Sequence, residues 1–153
     1  MYKRNIYGEK LQVCEPKNGG RGSSSVIDNT CSEVGGGVHQ ICVRNIGQGT
    51  GFSKQTGQSD WSSQRGMNNH CACLGAWALY VAKGNQDKSV KCAAIPDTIF
   101  NPTYLNNWST WNGLQLENQA SQGLKSIYDQ CMQDAPNEKG RQYLQAKYAT
   151  VNN

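Results

Sequence analysis

The sequence predicts an α+β fold in a single domain, with a loop-rich front carrying short antiparallel strands and a helical C-terminal half. Three observations predict it. Glycine-rich runs crowd the first half, at residues 18–25, 34–38 and 47–51. A β-branched stretch, Val38-His39-Gln40-Ile41-Cys42-Val43, lies between two of them and suits a pleated surface. From residue 69 onward, apolar residues recur with the 3.6-residue period of a helix.

Taken in order, Leu11-Gln12-Val13-Cys14 alternates apolar and polar and reads as a first short strand. The run 38–43 reads as a second. Asn69 stands where a helix N-cap would, ahead of Cys73, Leu74, Trp77, Ala78 and Val81 on one helical face. Gly84 follows as a left-handed C-cap. Asn101-Pro102 looks like an N-cap with proline at the first helical position, opening a short helix through Leu105. A longer helix follows Asn118, with Ala120, Leu124, Ile127, Tyr128, Cys131 and Met132 on one stripe and Pro136 ending it. Glu138 to Tyr148 forms a last helix with Tyr143, Leu144 and Tyr148 on one side.

The 153 residues fit one domain able to bury a core without staples. Charged residues are only 17% of the chain, and the polarity comes from Asn, Gln, Ser and Gly. Four Trp, seven Tyr and two Phe supply bulk and argue against disorder. The net charge of +4 is spread thinly: residues 1–54 hold seven bases against four acids, and residues 55–153 eight against seven. This argues against nucleic acid as a partner. No apolar run is long enough for a membrane span, and the opening residues lack the apolar core of a signal peptide.

Seven cysteines, an odd number, are Cys14, Cys31, Cys42, Cys71, Cys73, Cys92 and Cys131. Without a signal peptide they argue against a secreted disulfide framework. They favour reduced thiols in a cytosolic protein, or in one assembled in the cytosol.

The densest chemical constellation is His70-Cys71-Ala72-Cys73 with His39 and Cys42. His39, Cys42, Cys71 and Cys73 are the candidate ligands of a zinc ion, which takes thiolates and imidazoles in fours. The same segment offers a candidate nucleophile, Cys71, with His70 or His39 beside it. Against both stands the plainer reading that the thiols are small buried hydrophobes, so neither a cofactor nor a catalytic residue is expected. Phosphate-binding loops, dinucleotide fingerprints and nucleophile elbows are missing from the sequence. Trp108 and Trp111, three residues apart before Gly113, are candidate partner-binding anchors, or else core plugs.

Arg4-Asn5-Ile6-Tyr7-Gly8-Glu9-Lys10-Leu11-Gln12-Val13-Cys14 resembles the opening of a small cysteine-containing family of unknown function (domain of unknown function, family 2237). Further elements follow in the same order: Cys31, then Val38-His39-Gln40-Ile41-Cys42, then Phe52-Ser53-Lys54-Gln55-Thr56-Gly57. Cys71-Ala72-Cys73 ahead of Trp77 and the Ile95-Pro96 step complete the series. The resemblance covers roughly residues 4–100 and leaves 104–153 as a helical extension. The family usually has adjacent cysteines near Cys31 and a Trp where this chain has His70, which weakens any role that needs all the family's cysteines.

The resemblance implies a compact cytosolic domain of a kind associated with bacteria and large DNA viruses. From it comes the leading functional expectation: a non-enzymatic structural or interaction protein, a minor capsid component cementing neighbouring coat subunits. The alternative is a cytosolic thiol or metal-dependent enzyme or binding module centred on His39, Cys42, Cys71 and Cys73. A concave pocket lined by those side chains would favour the alternative.

Overall fold

The structure, a computed structural model, describes residues 3–15, 29–32, 39–102, 105, 110–111 and 114–151. The glycine-rich stretches 18–25 and 34–38, and Trp108, lie outside the described residues.

The chain opens with a closed loop organised by one side chain. Asn5 is 2% exposed. Its Oδ1 accepts the backbone N–H groups of Tyr7 (2.9 Å) and Glu9 (3.1 Å), and its Nδ2 donates to the Ala93 carbonyl at 3.1 Å. The Arg-Asn-Ile-Tyr-Gly motif is therefore a turn tied to the segment 91–95, with Ile6 N–H on the Ile95 carbonyl at 3.0 Å.

β1 (Ile41–Val43) and β2 (His70–Ala72) form an antiparallel ribbon in the register Ile41↔Ala72, Cys42↔Cys71 and Val43↔His70. All six residues are buried. A two-stranded ribbon is marginal alone, and here it is enclosed on all sides. Between the strands lie α1 (Phe52–Gln55) and a 3-10 turn at Ser62–Gln64. Reciprocal hydrogen bonds between the buried Ser53 and Ser62 clamp these two together, with Ser62 N–H on Ser53 Oγ at 2.9 Å and Ser53 N–H on Ser62 Oγ at 3.0 Å.

α2 (Leu74–Ala82) is the central helix, with seven of its nine residues buried. A helix apolar on nearly every side belongs in a core. Gly84, at φ +84°, terminates it in the left-handed conformation, as expected. Two 3-10 turns follow, at Cys92–Ala94 and Asp97–Phe100. Pro102 and Leu105 are helical, as the Asn101-Pro102 pattern predicts, and Leu105 N–H reaches the Asn101 carbonyl at 3.1 Å. A short hairpin, β3 (Thr110–Trp111) with β4 (Leu114–Gln115), precedes the last two helices.

α3 (Glu117–Gln133) lays the predicted stripe inward: Ala120, Leu124, Ile127 and Cys131 are buried. It packs along α2 at a close crossing, where a Cβ on Gly123 would stand 2.8 Å from the Cα and Cβ of Ala78. α4 (Glu138–Ala149) is capped by Asn137, whose Oδ1 accepts the Gly140 N–H at 2.8 Å. Leu144 and Tyr148 face the core, and Tyr148 stacks on Tyr128 with ring centres 4.0 Å apart. The fold is thus α+β with a helical C-terminal half, as the sequence predicts. Residues 117–149 are no appendage to the front, because α3 helps bury α2.

Two expectations give way. Leu11–Cys14 joins no ladder: its N–H groups go singly to Lys3, Ala93 and Asn29. Asn69 does not cap α2. Its backbone N–H meets Glu15 at 2.7 Å and its side chain donates to the Cys14 carbonyl at 2.8 Å. Three residues of strand intervene, and Cys73 takes the cap position.

The cysteines depart furthest from expectation. Six of the seven form disulfides: Cys14–Cys42, Cys31–Cys71 and Cys92–Cys131. The odd count reflects one cysteine outside the pairs, Cys73, and not an absence of pairing. The first two bridges fasten the front loops to the β1–β2 ribbon. The third joins the 3-10 turn at Cys92 to the last turns of α3.

Candidate functional site

Cys73 closes β2 in an extended conformation (φ −80°, ψ 154°) and starts α2. Its Sγ accepts the Ala76 N–H at 3.4 Å, satisfying one of the donors that a helix start leaves open. Such a position favours negative charge on the sulfur. Cys73 lines a cavity of about 160 Å³ together with His39, Phe52, Gln58, Trp61, Arg65, His70, Ala72 and Ala76.

Each wall of this cavity is held from behind. His70 comes from β2, is 3% exposed, and lies against the Trp61 ring with centres 4.5 Å apart. The Trp61 indole N–H donates to Gln58 Oε1 at 3.0 Å, and Gln58 Nε2 donates to Thr56 Oγ1 at 2.8 Å. The Arg65 guanidinium sits 5.7 Å from the Trp61 ring centre, in cation–π range. His39, half-buried, enters two residues before β1. Phe52 packs on Tyr80, with ring centres 4.9 Å apart.

Behind Phe52, the Tyr80 hydroxyl bonds to the Asp87 carboxylate, and Thr50 joins through its Oγ1, 2.6 Å from that hydroxyl, and its N–H on Asp87 Oδ2 at 2.7 Å. Burial, helped by the Asp87 hydrogen bond, pushes the Tyr80 phenol up to about 12.

The predicted metal set does not come together as one site. His39 and Cys73 line the cavity. Cys42 and Cys71 are 0% exposed and bonded to Cys14 and Cys31. The Cys71 sulfur is therefore tied up in a disulfide and is not a nucleophile in this state, and the thiol that shares a cavity with the imidazoles is that of Cys73. A second group of sulfurs does gather, at Cys14, Cys31 and Cys42, whose Sγ atoms lie within 4.8 Å of one another. Trp111 stands in β3, and its side chain is outside the described structure.

Sequence reasoning missed Gln58, Trp61 and Arg65 as parts of the site. They lie in a polar loop with no motif, and only the aromatic Trp61 set it apart. A wider groove of about 430 Å³ runs between the N-terminal loop and residues 91–93, where Glu9, Arg44, Lys91 and Asp134 mix both charges. It offers no thiol, since its Cys92 is in a disulfide. Among the described residues, no helix is long and apolar enough to cross a membrane.

Comparison of the chain with known protein families, curated proteins and solved structures returns no match.

Proposed function

We propose that the protein is a small-ligand-binding module built around the Cys73 thiol. One observation carries this reading: both histidines of the sequence and the one cysteine outside the disulfides line the same cavity. A thiol at a helix start is the form of sulfur best prepared to meet an electrophile or to hold a polar ligand, and an imidazole close by takes up or supplies a proton. The cavity suits a guest of about benzene size. Arg65 at the Trp61 face favours one carrying negative charge.

Alkylation of the folded, unreduced protein tests this. Iodoacetate should add one carboxymethyl group, at Cys73, with iodide leaving and the thiol proton passing to an imidazole or solvent. Replacing His39 or His70 by Gln should slow the addition by about tenfold or more. If the folded protein takes no adduct while the urea-unfolded protein takes one, the reading fails.

A second reading is a non-enzymatic interaction protein, a minor capsid component that cements coat subunits. Two disulfides holding a front with little regular structure give a rigid surface for docking. The 17% charge content also leaves few ions to desolvate at a contact. The viral context comes only from the resemblance of the motifs in residues 4–100 to a family of unknown function. Quantitative mass spectrometry of purified particles tests it: stoichiometric presence supports the reading, and absence from the particles removes it.

A further inference from the structure

The sulfurs that leave the thiol cavity gather elsewhere. Cys42 and Cys71 are direct partners across the β1–β2 ladder, so their side chains leave the same face of the ribbon. They are not bonded to each other. Each reaches outward to a loop cysteine, Cys42 to Cys14 and Cys71 to Cys31. The two loops are held together as well: Cys14 N–H donates to the Asn29 carbonyl at 2.9 Å, two residues before Cys31, and Asn69, just before β2, binds the Cys14 carbonyl. Two disulfides therefore lie side by side.

The Sγ atoms of Cys14, Cys31 and Cys42 are within 4.8 Å of one another, and the fourth, on Cys71, is one bond from Cys31. All four residues are 0% exposed.

We propose that these four cysteines are a redox-switched zinc site: two disulfides when oxidised, one tetrathiolate-bound Zn²⁺ when reduced. Zinc binds thiolate sulfur at about 2.3 Å in a tetrahedron, which sets neighbouring sulfurs about 3.8 Å apart. Reaching that spacing takes opening the two S–S bonds, drawing in separations of up to 4.8 Å among Cys14, Cys31 and Cys42, and bringing in the Cys71 sulfur from beside Cys31. Four soft ligands on two strands and two loops make a closed structural site of the all-cysteine kind. The ion would close the same loops as the disulfides, so the fold has a staple in either state.

The electron count closes. Two disulfides accept four electrons and four protons from two dithiol reductant molecules, which become disulfides themselves. Zinc then displaces the four thiol protons. In the reverse direction each disulfide formed passes two electrons to an oxidant such as hydrogen peroxide, yielding water and freeing the ion.

The test uses the full chain reduced with a non-chelating phosphine, exposed to zinc and desalted. About one equivalent of zinc per chain is expected, against less than about a tenth for the unreduced protein. Cobalt in place of zinc should give the intense charge-transfer bands of four thiolates, a reading on the native sequence that needs no variant to fold. Cys73→Ser should keep the full equivalent, and the pair Cys14→Ser with Cys42→Ser should lose it. Peroxide should release the zinc and restore Cys14–Cys42 and Cys31–Cys71 in peptide maps. The proposal is overturned if the reduced protein binds no zinc, if cobalt reports nitrogen ligands, or if Cys73→Ser is the change that abolishes binding.

Discussion

The indole N–H of Trp77 donates to the carbonyl oxygen of Gly123 at 3.2 Å, tying α2 to α3 where Gly123 meets Ala78. The bond forms because residue 123 has no side chain: a Cβ there would press within 2.8 Å of the Ala78 Cα and Cβ. Alanine ordinarily improves a helix interior by about 1 kcal/mol over glycine. Here the obstacle is backbone, so the helices must separate. Gly123→Ala should therefore destabilise the protein by about 1–3 kcal/mol, read as a lower urea midpoint. Trp77→Phe should lose less, since it gives up the hydrogen bond but keeps most of the packing. A stabilised Gly123→Ala protein would contradict the close crossing.

Asn5 supplies the next test. Its side chain satisfies two backbone N–H groups and the Ala93 carbonyl inside the protein. Asn5→Ala leaves these groups without the partners that Asn5 provides, for an expected loss of about 2–3 kcal/mol. Asn5→Asp keeps the acceptor for Tyr7 and Glu9 but gives up the donor to Ala93, and should fall between Ala and the native residue. Hydrogen exchange at the Tyr7 and Glu9 amides should quicken in the alanine variant.

What the sequence made legible was local. The stripe from Ala120 to Met132 and the end of α2 at Gly84 follow from neighbours within one or two turns, and they stand where the periodicity places them. What it hid depended on distant residues. Residues 70–72 share an apolar run with α2, yet they form a strand because β1 pairs with them and Cys31 holds Cys71. Leu11–Cys14 alternates like a strand, but among the described residues no strand pairs with it. Seven cysteines with one left over admit seven times fifteen, or 105, sets of three bridges, and spacing alone does not select one. The set His39, Cys42, Cys71 and Cys73, read from the sequence as one constellation, does not stay together. It divides between two sites because Cys71 turns to the disulfide pair and Cys73 to the cavity.

The Cys92–Cys131 bridge spans 39 residues and fastens the end of α3 to the 3-10 turn at Cys92. Closing a loop of that length in the unfolded chain removes entropy corresponding to about 4 kcal/mol. Replacing both cysteines by alanine should lower stability by about 2–4 kcal/mol, with the midpoint temperature falling about 2–4 °C for each kcal/mol. The helical half also buries Ile127 and Leu144, so it should still fold. Retained helical circular dichroism with a lower melting temperature is the expected pair of readings. Unchanged thermal stability would show that the bridge adds nothing to the packing around it.

The Tyr80–Asp87 hydrogen bond makes stability depend on pH at both ends of the scale. Burial works against the Asp87 carboxylate, but the hydrogen bonds from Tyr80 and the Thr50 backbone outweigh it and hold its pKa below the ordinary value. A carboxyl depressed on folding contributes stability above its unfolded pKa, about 3.9, and loses that contribution as pH falls through the folded value. Tyr80 is shifted the other way, from 10.0 up to about 12, chiefly by burial. Its contribution is complete below the unfolded pKa and is lost as pH rises from about 10 toward 12. Urea midpoints measured across this range should fall at both ends. Asp87→Asn should flatten part of the acid limb, and Tyr80→Phe part of the alkaline one. Tyr143 is also raised to about 12, first by burial and then by its hydrogen bond to Asp97. An alkaline loss should therefore persist in Tyr80→Phe and shrink further when Tyr143→Phe is added. If neither substitution alters the alkaline limb, these two phenols do not set it.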